Sequence, residues 1–286
     1  MMRKTLLLLT LALWSISNCL AVNYPAMVYS TPSSLVPGVS YQHAQHPGTQ
    51  KWEIDILKVN LIKAKVELRP VLPKTGKKSP VTDISSEQGA IAAINGSYFD
   101  GAGNLLSLTK IDGETISRPV GTRPARSCLG ILSDRTLTIQ PIAPDLISES
   151  GYDWSQTLHG IGGGPQLLKS GVVSITTTEE GFDDRSGIGP VIRNPRTALG
   201  FNNKGEVFMV TVDGRQPDWS VGMTLTEMAF LLQDLGATEA INFDGGGSTT
   251  MVIGNKLINR PSNVGNLQRP VANALAILPL AQAVTK

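Results

Sequence analysis

Residues 206–244 constrain the fold more than any other part of the sequence, because they predict a strand–helix–strand unit. The runs 206–212 and 239–243 have the composition of short buried strands. Between them, Thr224 to Glu227 form a capping box, the side-chain pattern that satisfies free backbone amides where a helix begins. Gly236 stands where such a helix would end. If the two strands are parallel neighbours, a right-handed crossover brings both carboxyl ends to one edge of the sheet.

Both predicted strands end in an aspartate that is followed by glycine. Asp213 precedes Gly214, and Asp244 precedes the three glycines 245–247. Glycine allows a sharp backbone turn and lets N–H groups approach a ligand, and ligands tend to bind at this edge of sheets with crossover helices. We therefore predict a site in which Asp213 and Asp244 lie side by side. A simple hairpin turn is the alternative explanation of the glycine run.

The composition favours short strands and many turns over a helical bundle. The 286 residues include 29 glycines and 18 prolines, 5% are aromatic, and the 41% that are hydrophobic support a packed core. We expect an α+β fold with mixed, strand-rich sheets and a few helices packed on them, including the crossover at 206–244. Further strands are expected at 52–57, 63–72, 90–94, 105–111, 128–132 and 136–140, and a short helix at 81–88.

The start of the chain has the pattern of a secretory signal peptide. A basic beginning is followed by an apolar run that is too short to span a membrane. We expect residues 1–21 to be removed and the protein to be periplasmic or extracellular, with a lipid anchor on Cys19 as the minor alternative. Residues 22–50 are polar and contain several prolines, so they predict an N-terminal arm or linker before one domain at 51–282.

The charge balance excludes some kinds of partner. The chain has 25 lysines and arginines against 23 acidic residues, and two of the basic residues belong to the leader. A mature chain of zero formal charge argues against nucleic acid as a partner. Cys128 is then the only cysteine, so no internal disulfide can form. The sequence has no cofactor motif and no metal-ligand cluster of usual spacing, while a need for a divalent cation and the oligomeric state stay open.

Three other stretches contain candidate site residues. Asn95 and Gly96 follow a predicted strand, and Arg196 precedes one, where its guanidinium suits phosphate or carboxylate. The glycine-rich stretch 160–165 lacks the flanking strand and helix of a dinucleotide site, so it indicates a tight loop near a ligand or close strand packing. His159 is the only histidine of the predicted domain, and a structural role is favoured for it.

These stretches together resemble the phosphodiester glycosidase domain. The resemblance covers roughly residues 50–280 and rests on seven motifs in the right order, each weak alone. The motifs are AINGSYFD ending at Asp100, GIGGGPQLL (160–168), NPRTALGF (194–201), VDGR (212–215), NFDGGGSTTMV (242–252), NRPS (259–262) and RPVANAL (269–275).

The resemblance implies hydrolysis of a sugar-1-phosphodiester at the anomeric carbon, which releases a free sugar and a phosphomonoester. The expected substrate is a sugar phosphate or polysaccharide of the cell envelope or an exopolysaccharide. The resemblance places catalytic roles on Asp213, Asp244 and Arg196. It places substrate-binding roles on Asn95, Gly163, Gly246, Ser248, Asn259 and Ser262.

The chemistry implied by the resemblance leaves the roles of the two aspartates open. Either one could stabilise the oxocarbenium, attack it or activate water. Arg196 and backbone amides near Gly163 and Gly246 are expected to hold the phosphate. Two other functions remain as alternatives: a phosphodiesterase that cuts the other P–O bond, and a non-catalytic protein for glycan binding or envelope assembly.

Overall fold

The computed structural model describes residues 26–120, 124–143, 152–182 and 188–280. Within these ranges the chain is mainly β, with three antiparallel sheets and two α-helices. The predicted α+β class is therefore wrong. Every pairing between the named strands is antiparallel, and the helices are too few and too short to form a layer of their own.

Nine strands form the largest sheet, which carries the candidate site at one end. They are β1 (Val28–Tyr29), β2 (Ser33–Val36), β3 (Val39–His46), β4 (Trp52–Asn60), β12 (Gln166–Lys169), β13 (Val172–Val173), β14 (Arg196–Phe201), β15 (Glu206–Val212) and β16 (Glu239–Asn242). Their order is β1-β3-β4-β15-β14-β16-β12-β13, with β2 paired to β3.

Two five-stranded sheets complete the fold. The second sheet contains β7 (Thr109–Ile111), β8 (Glu114–Ser117), β9 (Arg126–Leu132), β10 (Leu137–Ile142) and β11 (Thr157–Gly162). The third sheet contains β5 (Val66–Val71), β6 (Ala92–Asn95), β17 (Met251–Ile253), β18 (Lys256–Leu257) and β19 (Ala274–Pro279). The two helices are α1 (Val81–Glu87) and α2 (Leu225–Asp234).

The strand–helix–strand unit is present, but its two strands are not neighbours. β14 lies between β15 and β16 and pairs antiparallel with both, so β15 and β16 run in the same direction. Helix α2 begins with the predicted capping box, in which Thr224 Oγ1 accepts from the Glu227 N–H at 3.1 Å and Glu227 accepts from the Thr224 N–H at 2.9 Å. The two carboxyl ends therefore share an edge, with two strand spacings of about 4.8 Å between them.

The main core lies where the three sheets face each other. It includes Leu57 and Met209 of the large sheet, Leu129 of the second sheet and Leu275 of the third. A separate core on the other face of the large sheet is covered by α2, through Met228 and its apolar neighbours. Side chains alternate between these two cores along the strands, as the pleat of a strand requires. Both faces of β15 are consequently buried, which fixes the position of the residue that follows it.

The segment that was predicted as an arm or linker is part of the large sheet. Residues 26–46 contain β1, β2 and β3, and all eight residues of β3 pair with β4. The predicted leader at 1–21, with Cys19, lies outside the described residues, as do residues 22–25 and 281–282 of the predicted segments. None of the helices in the described ranges has the length and apolar character needed to cross a membrane.

Candidate functional site

A cavity of about 230 Å³ opens beyond the carboxyl ends of β15 and β16. Its walls combine one carboxylate, three guanidiniums, two amides, a phenol and three consecutive glycines. The lining residues are Tyr98, Ile188, Asn194, Arg196, Arg215, Asn242, Asp244, Gly245, Gly246, Gly247 and Arg269. The cavity is strongly polar, and its side-chain charges are mainly positive.

Asp244 is placed by the point where the chain passes from the large sheet to the third sheet. Its N–H donates to the Gly96 carbonyl at 3.1 Å, and its own carbonyl accepts from Asn95 Nδ2 at 2.6 Å. Asn95 is fully buried, and its Oδ1 accepts from the Thr197 hydroxyl at 2.7 Å and from the Thr250 N–H at 3.0 Å. These bonds hold the backbone of Asp244 rigidly, so its half-buried side chain is presented at the cavity.

The Asp244 carboxyl has a pKa above the ordinary value of an aspartate. Burial raises its pKa to about 6, although the Ser248 hydroxyl and the positive charges of Arg269 and Arg215 act in the opposite direction. A group with this pKa is mostly ionised at neutral pH and still accepts a proton readily. Such a value suits a general base.

Arg196 is the most deeply buried charge in the cavity wall. It is 2% exposed, and its Nε and Nη2 donate to the carbonyls of Met223 at 3.0 Å and Ile192 at 2.6 Å. Burial lowers its pKa to about 10, which still leaves it charged at neutral pH. Because both acceptors are neutral, its charge contributes positive potential to the cavity from behind the wall.

Arg215 and Arg269 are exposed and approach the cavity over the glycine run. A Cβ on Gly246 would lie 3.0 Å from Arg215 Nη2, and one on Gly247 would lie 2.6 Å from Arg269 Nη2. Arg215 is held by a bond from its Nε to Asn194 Oδ1 at 3.0 Å. The glycines therefore serve to let guanidinium groups come close, which is a different use from the exposed amides expected from the sequence.

Neutral groups complete the wall and leave one acceptor unused. Asn242 Nδ2 donates to the Tyr98 hydroxyl at 3.0 Å and to the Gly164 carbonyl at 3.1 Å, while its Oδ1 has no partner among the described residues. Tyr98 donates to the Gly164 carbonyl at 2.9 Å, and burial raises its pKa, so the phenol stays neutral. The network fixes the orientation of both side chains.

The predicted site residues separate into two groups. Asp244, Arg196 and Gly246 line the cavity, and Ser248 lies directly behind it, where Arg269 Nη1 donates to its hydroxyl at 3.4 Å. Asp213, Asn95, Gly163, Asn259 and Ser262 do not line it.

The amides of Gly163 and Gly246 are engaged within the protein. The Gly163 N–H donates to the Ser127 carbonyl at 3.0 Å, and the Gly246 N–H donates to the Pro195 carbonyl at 2.9 Å. Neither of these two N–H groups is therefore free to bind a phosphate in this structure, and the prediction that amides near them do so stays a prediction. A Cβ on Gly163 would lie 2.5 Å from the Asn242 carbonyl oxygen, so this glycine is required by close packing.

Asp213 is 3% exposed and makes its hydrogen bonds away from the cavity. Its carboxylate accepts from Trp219 Nε1 at 2.8 Å, from Asn259 Nδ2 at 3.0 Å and from the Arg260 N–H at 3.0 Å. Burial raises its pKa to about 6, and these hydrogen bonds lower it. The prediction that Asp213 and Asp244 face one ligand together is not supported by this placement.

Arg215 and Arg269 were missed as site residues, although both stand in motifs that the sequence singles out. Arg215 ends the VDGR motif, and Arg269 begins RPVANAL. An arginine in a loop is a weak signal, because most arginines are solvated. Within the described ranges, no group of three or more histidine, cysteine, aspartate or glutamate side chains is arranged to hold a metal ion.

The structure is that of a β-sheet protein with a cationic cavity at one end of its largest sheet, and comparison with known proteins gives the family. Residues 88–278 match the phosphodiester glycosidase family, so the chain belongs to it. The relatives named below are hydrolases by name, and the predicted resemblance is confirmed.

Two curated relatives are the N-acetylglucosamine-1-phosphodiester alpha-N-acetylglucosaminidases of Mus musculus and Bos taurus, each 27% identical over 194 residues. The aligned region covers 65% of this chain and 36% of each relative, so the chain spans about a third of their length. The catalytic domain of the zebrafish enzyme of the same name has a similar fold, with a TM-score of 0.70, 24% identity and coverage of 88% of this chain and 87% of that one.

The contact between Gly247 and Arg269 generates a testable prediction. In Gly247→Ala the new Cβ would displace the ends of both Asn263 and Arg269, because it would lie 2.4 Å from Asn263 Oδ1 and 2.6 Å from Arg269 Nη2, too close for a real contact. We expect inorganic phosphate to bind about tenfold more weakly by isothermal titration calorimetry, since a charge-assisted hydrogen bond to the anion is lost. Gly101→Ala is the matched control, because a Cβ there meets nothing within 4 Å. Equal phosphate affinity in the two variants would exclude Arg269 from the anion site.

Proposed function

We propose that the protein is an exported glycosidase that hydrolyses a sugar-1-phosphodiester at the anomeric carbon. The products are a free sugar and a phosphomonoester. One observation supports this proposal most strongly: among the described residues, the cavity places one half-buried carboxylate between three guanidiniums. The guanidiniums suit a phosphodiester anion, and the carboxylate suits a reaction at the neighbouring carbon.

The division of roles follows from the positions of the charges. Arg215 and Arg269 are exposed and reach over the glycine run, so they bind the phosphate oxygens directly. Arg196 adds positive potential from the wall, which stabilises the negative charge that the departing phosphate gains. Asp244 is the one carboxylate that lines the cavity within the described residues. It therefore takes the acid–base role at the sugar.

The reaction needs one carboxylate because phosphate is a good leaving group. Water attacks the anomeric carbon, the bond from that carbon to the phosphate oxygen breaks, and its electron pair stays with the phosphate. The proton of the attacking water goes to Asp244. A phosphomonoester has a second pKa of about 6, so it departs without a strong proton donor, unlike the sugar alkoxide of an ordinary glycoside.

The substrate class is proposed from the size of the cavity and the expected location of the protein. A volume of about 230 Å³ is smaller than most ligand pockets, so it would enclose the scissile group and leave the rest of the substrate outside. This arrangement is suited to a long chain that enters at one point. We propose a phosphate-linked polysaccharide of the cell envelope or an exopolysaccharide, which a protein with a leader at 1–21 would meet after export.

Replacing the Asp244 carboxylate tests the proposed base. We expect Asp244→Asn to lower kcat on a sugar-1-phosphodiester by about a hundredfold to ten-thousandfold, because water is no longer activated. The wild-type products, identified by mass spectrometry with and without a chelator, should be free sugar and phosphomonoester.

The control for Asp244→Asn is Asp234→Asn, which makes the same change at an exposed position on α2. Sugar phosphate plus alcohol would instead indicate the other P–O bond, and binding without any product would indicate a non-catalytic glycan protein.

The raised pKa of Asp244 predicts the pH dependence of the reaction. The base works only when it is ionised, so kcat/KM should be level above about pH 6 and fall about tenfold for each pH unit below it. An acid limb centred near pH 4, the ordinary range of an aspartate, would contradict this assignment.

The proposed export can be tested through the mature amino terminus. When the full chain is expressed in a Gram-negative host, we expect the periplasmic protein to begin at Val22, because the leader at 1–21 has been cleaved. Intact-mass measurement of that fraction checks the prediction. A full-length chain recovered from the cytoplasm would contradict export, and a lipid-modified chain beginning at Cys19 would replace a free protein with an anchored one.

A further inference from the structure

Asp213 is a buried carboxylate for which the proposed reaction has no use. It follows β15, and its backbone is tied into the sheet, because its N–H donates to the Glu53 carbonyl at 3.0 Å. Its own carbonyl accepts from the Ser220 hydroxyl at 2.6 Å. A buried charge is costly unless it is fully hydrogen-bonded, so the partners of this carboxylate indicate its role.

Every hydrogen-bond partner of the Asp213 carboxylate is a donor from one of two loops. Trp219 belongs to the loop that follows β15, which we call the first loop (213–220). Asn259 and Arg260 belong to the loop that follows β18, which we call the second loop (259–269). The Asp213 carboxylate therefore connects its own loop to Asn259, which lies 46 positions further along the chain.

Each of these loops carries one of the exposed arginines of the cavity. The first loop carries Arg215, and the second loop ends at Arg269. Further bonds join the same loops, since Gln216 Nε2 donates to the Arg260 carbonyl at 3.0 Å and Asn266 Nδ2 donates to Gln216 Oε1 at 3.1 Å. The second loop is also fixed to the glycine run, because Asn263 Nδ2 donates to the Gly247 carbonyl at 2.9 Å.

We propose that Asp213 is a positioning residue that holds the two arginine-bearing loops at the spacing needed to grip a phosphate. This proposal rests on the proposed function only for the identity of the substrate, because the anion site can be tested without turnover. The charge of the carboxylate is essential to it. An asparagine of nearly equal size would place its own amide donor against Trp219 Nε1 or the Arg260 N–H. The hydrogen bonds that hold the two loops together at this residue would then be lost.

The test compares Asp213→Asn with Asp244→Asn in two measurements. The first is the dissociation constant of inorganic phosphate, measured by calorimetry at fixed ionic strength, and the second is the separation of kcat from KM. For Asp213→Asn we expect phosphate binding and KM to weaken about tenfold, with kcat changed by less than about threefold. For Asp244→Asn we expect the reverse: kcat falls, and phosphate binds as well or better because a negative charge is gone.

Each other outcome overturns the proposal. A loss of kcat in Asp213→Asn with unchanged phosphate binding would make Asp213 a catalytic residue. An unchanged phosphate affinity per folded molecule, with only a lower melting temperature, would make its role purely structural.

If Asp213→Asn does not fold, Gln216→Ala provides the test, because it removes hydrogen bonds between the two loops without altering a buried charge. Unchanged phosphate affinity in Gln216→Ala would contradict the proposal. If the wild type binds phosphate but hydrolyses no sugar phosphodiester, the proposed function fails while the phosphate comparison still decides the role of Asp213.

Discussion

The buried side chain of Asn95 is the connection on which the site depends. It lies at the end of β6 in the third sheet and binds the carbonyl of Asp244, the hydroxyl of Thr197 and the N–H of Thr250. It thereby joins a strand of the large sheet to the segment that leaves that sheet for the third one. An amide supplies both the donor and the acceptors for this junction, and a carboxylate or an alkyl side chain would leave buried partners unsatisfied. The geometry of the cavity is therefore supported from a strand that does not itself contact the cavity.

The cavity shows how one acid can operate among several cations. Three guanidiniums would normally lower the pKa of a neighbouring carboxyl, yet burial outweighs them at Asp244 and raises its pKa to about 6. Arg196 shows the same competition from the other side, because burial lowers its pKa to about 10 without neutralising it. A cavity of this kind suits an anion and also keeps a group that can accept a proton. The raised pKa of Asp244 and the lowered pKa of Arg196 both derive from desolvation.

Local features of the sequence predicted local structure well. The capping box at Thr224 and the glycine at 236 placed α2 to within a few residues, because both signals act within one turn of helix. The fold class was wrong for a long-range reason: β14 inserts between β15 and β16, and nothing within 206–244 encodes that neighbour. The polar strand β3 was missed because it lies toward the edge of the sheet, where most of its residues are only partly buried.

Asp213 and Asp244 mark the limit of prediction at the site. Each ends a strand and precedes a glycine, so the local sequence treats them alike. They differ in their distant partners. Asn259 and Arg260 donate hydrogen bonds to the Asp213 carboxylate, whereas Asp244 lies near the positive charges of Arg215 and Arg269 at the cavity. The family motifs identified the right segments of the chain. Assigning a role to each residue required the contacts between those segments.

Within the described residues the cavity has one carboxylate, and this has a consequence for the fate of a polymer. Links between two sugars resist cleavage unless the outgoing oxygen receives a proton, and the proposed mechanism commits Asp244 to the incoming water. If the proposed chemistry holds, a glycan threaded past the opening would be severed at its phosphate junctions and spared everywhere else. Such a catalyst would release segments from a polymer without degrading them to single sugars. Its selectivity would come from its inability to protonate the leaving oxygen of an ordinary glycosidic bond.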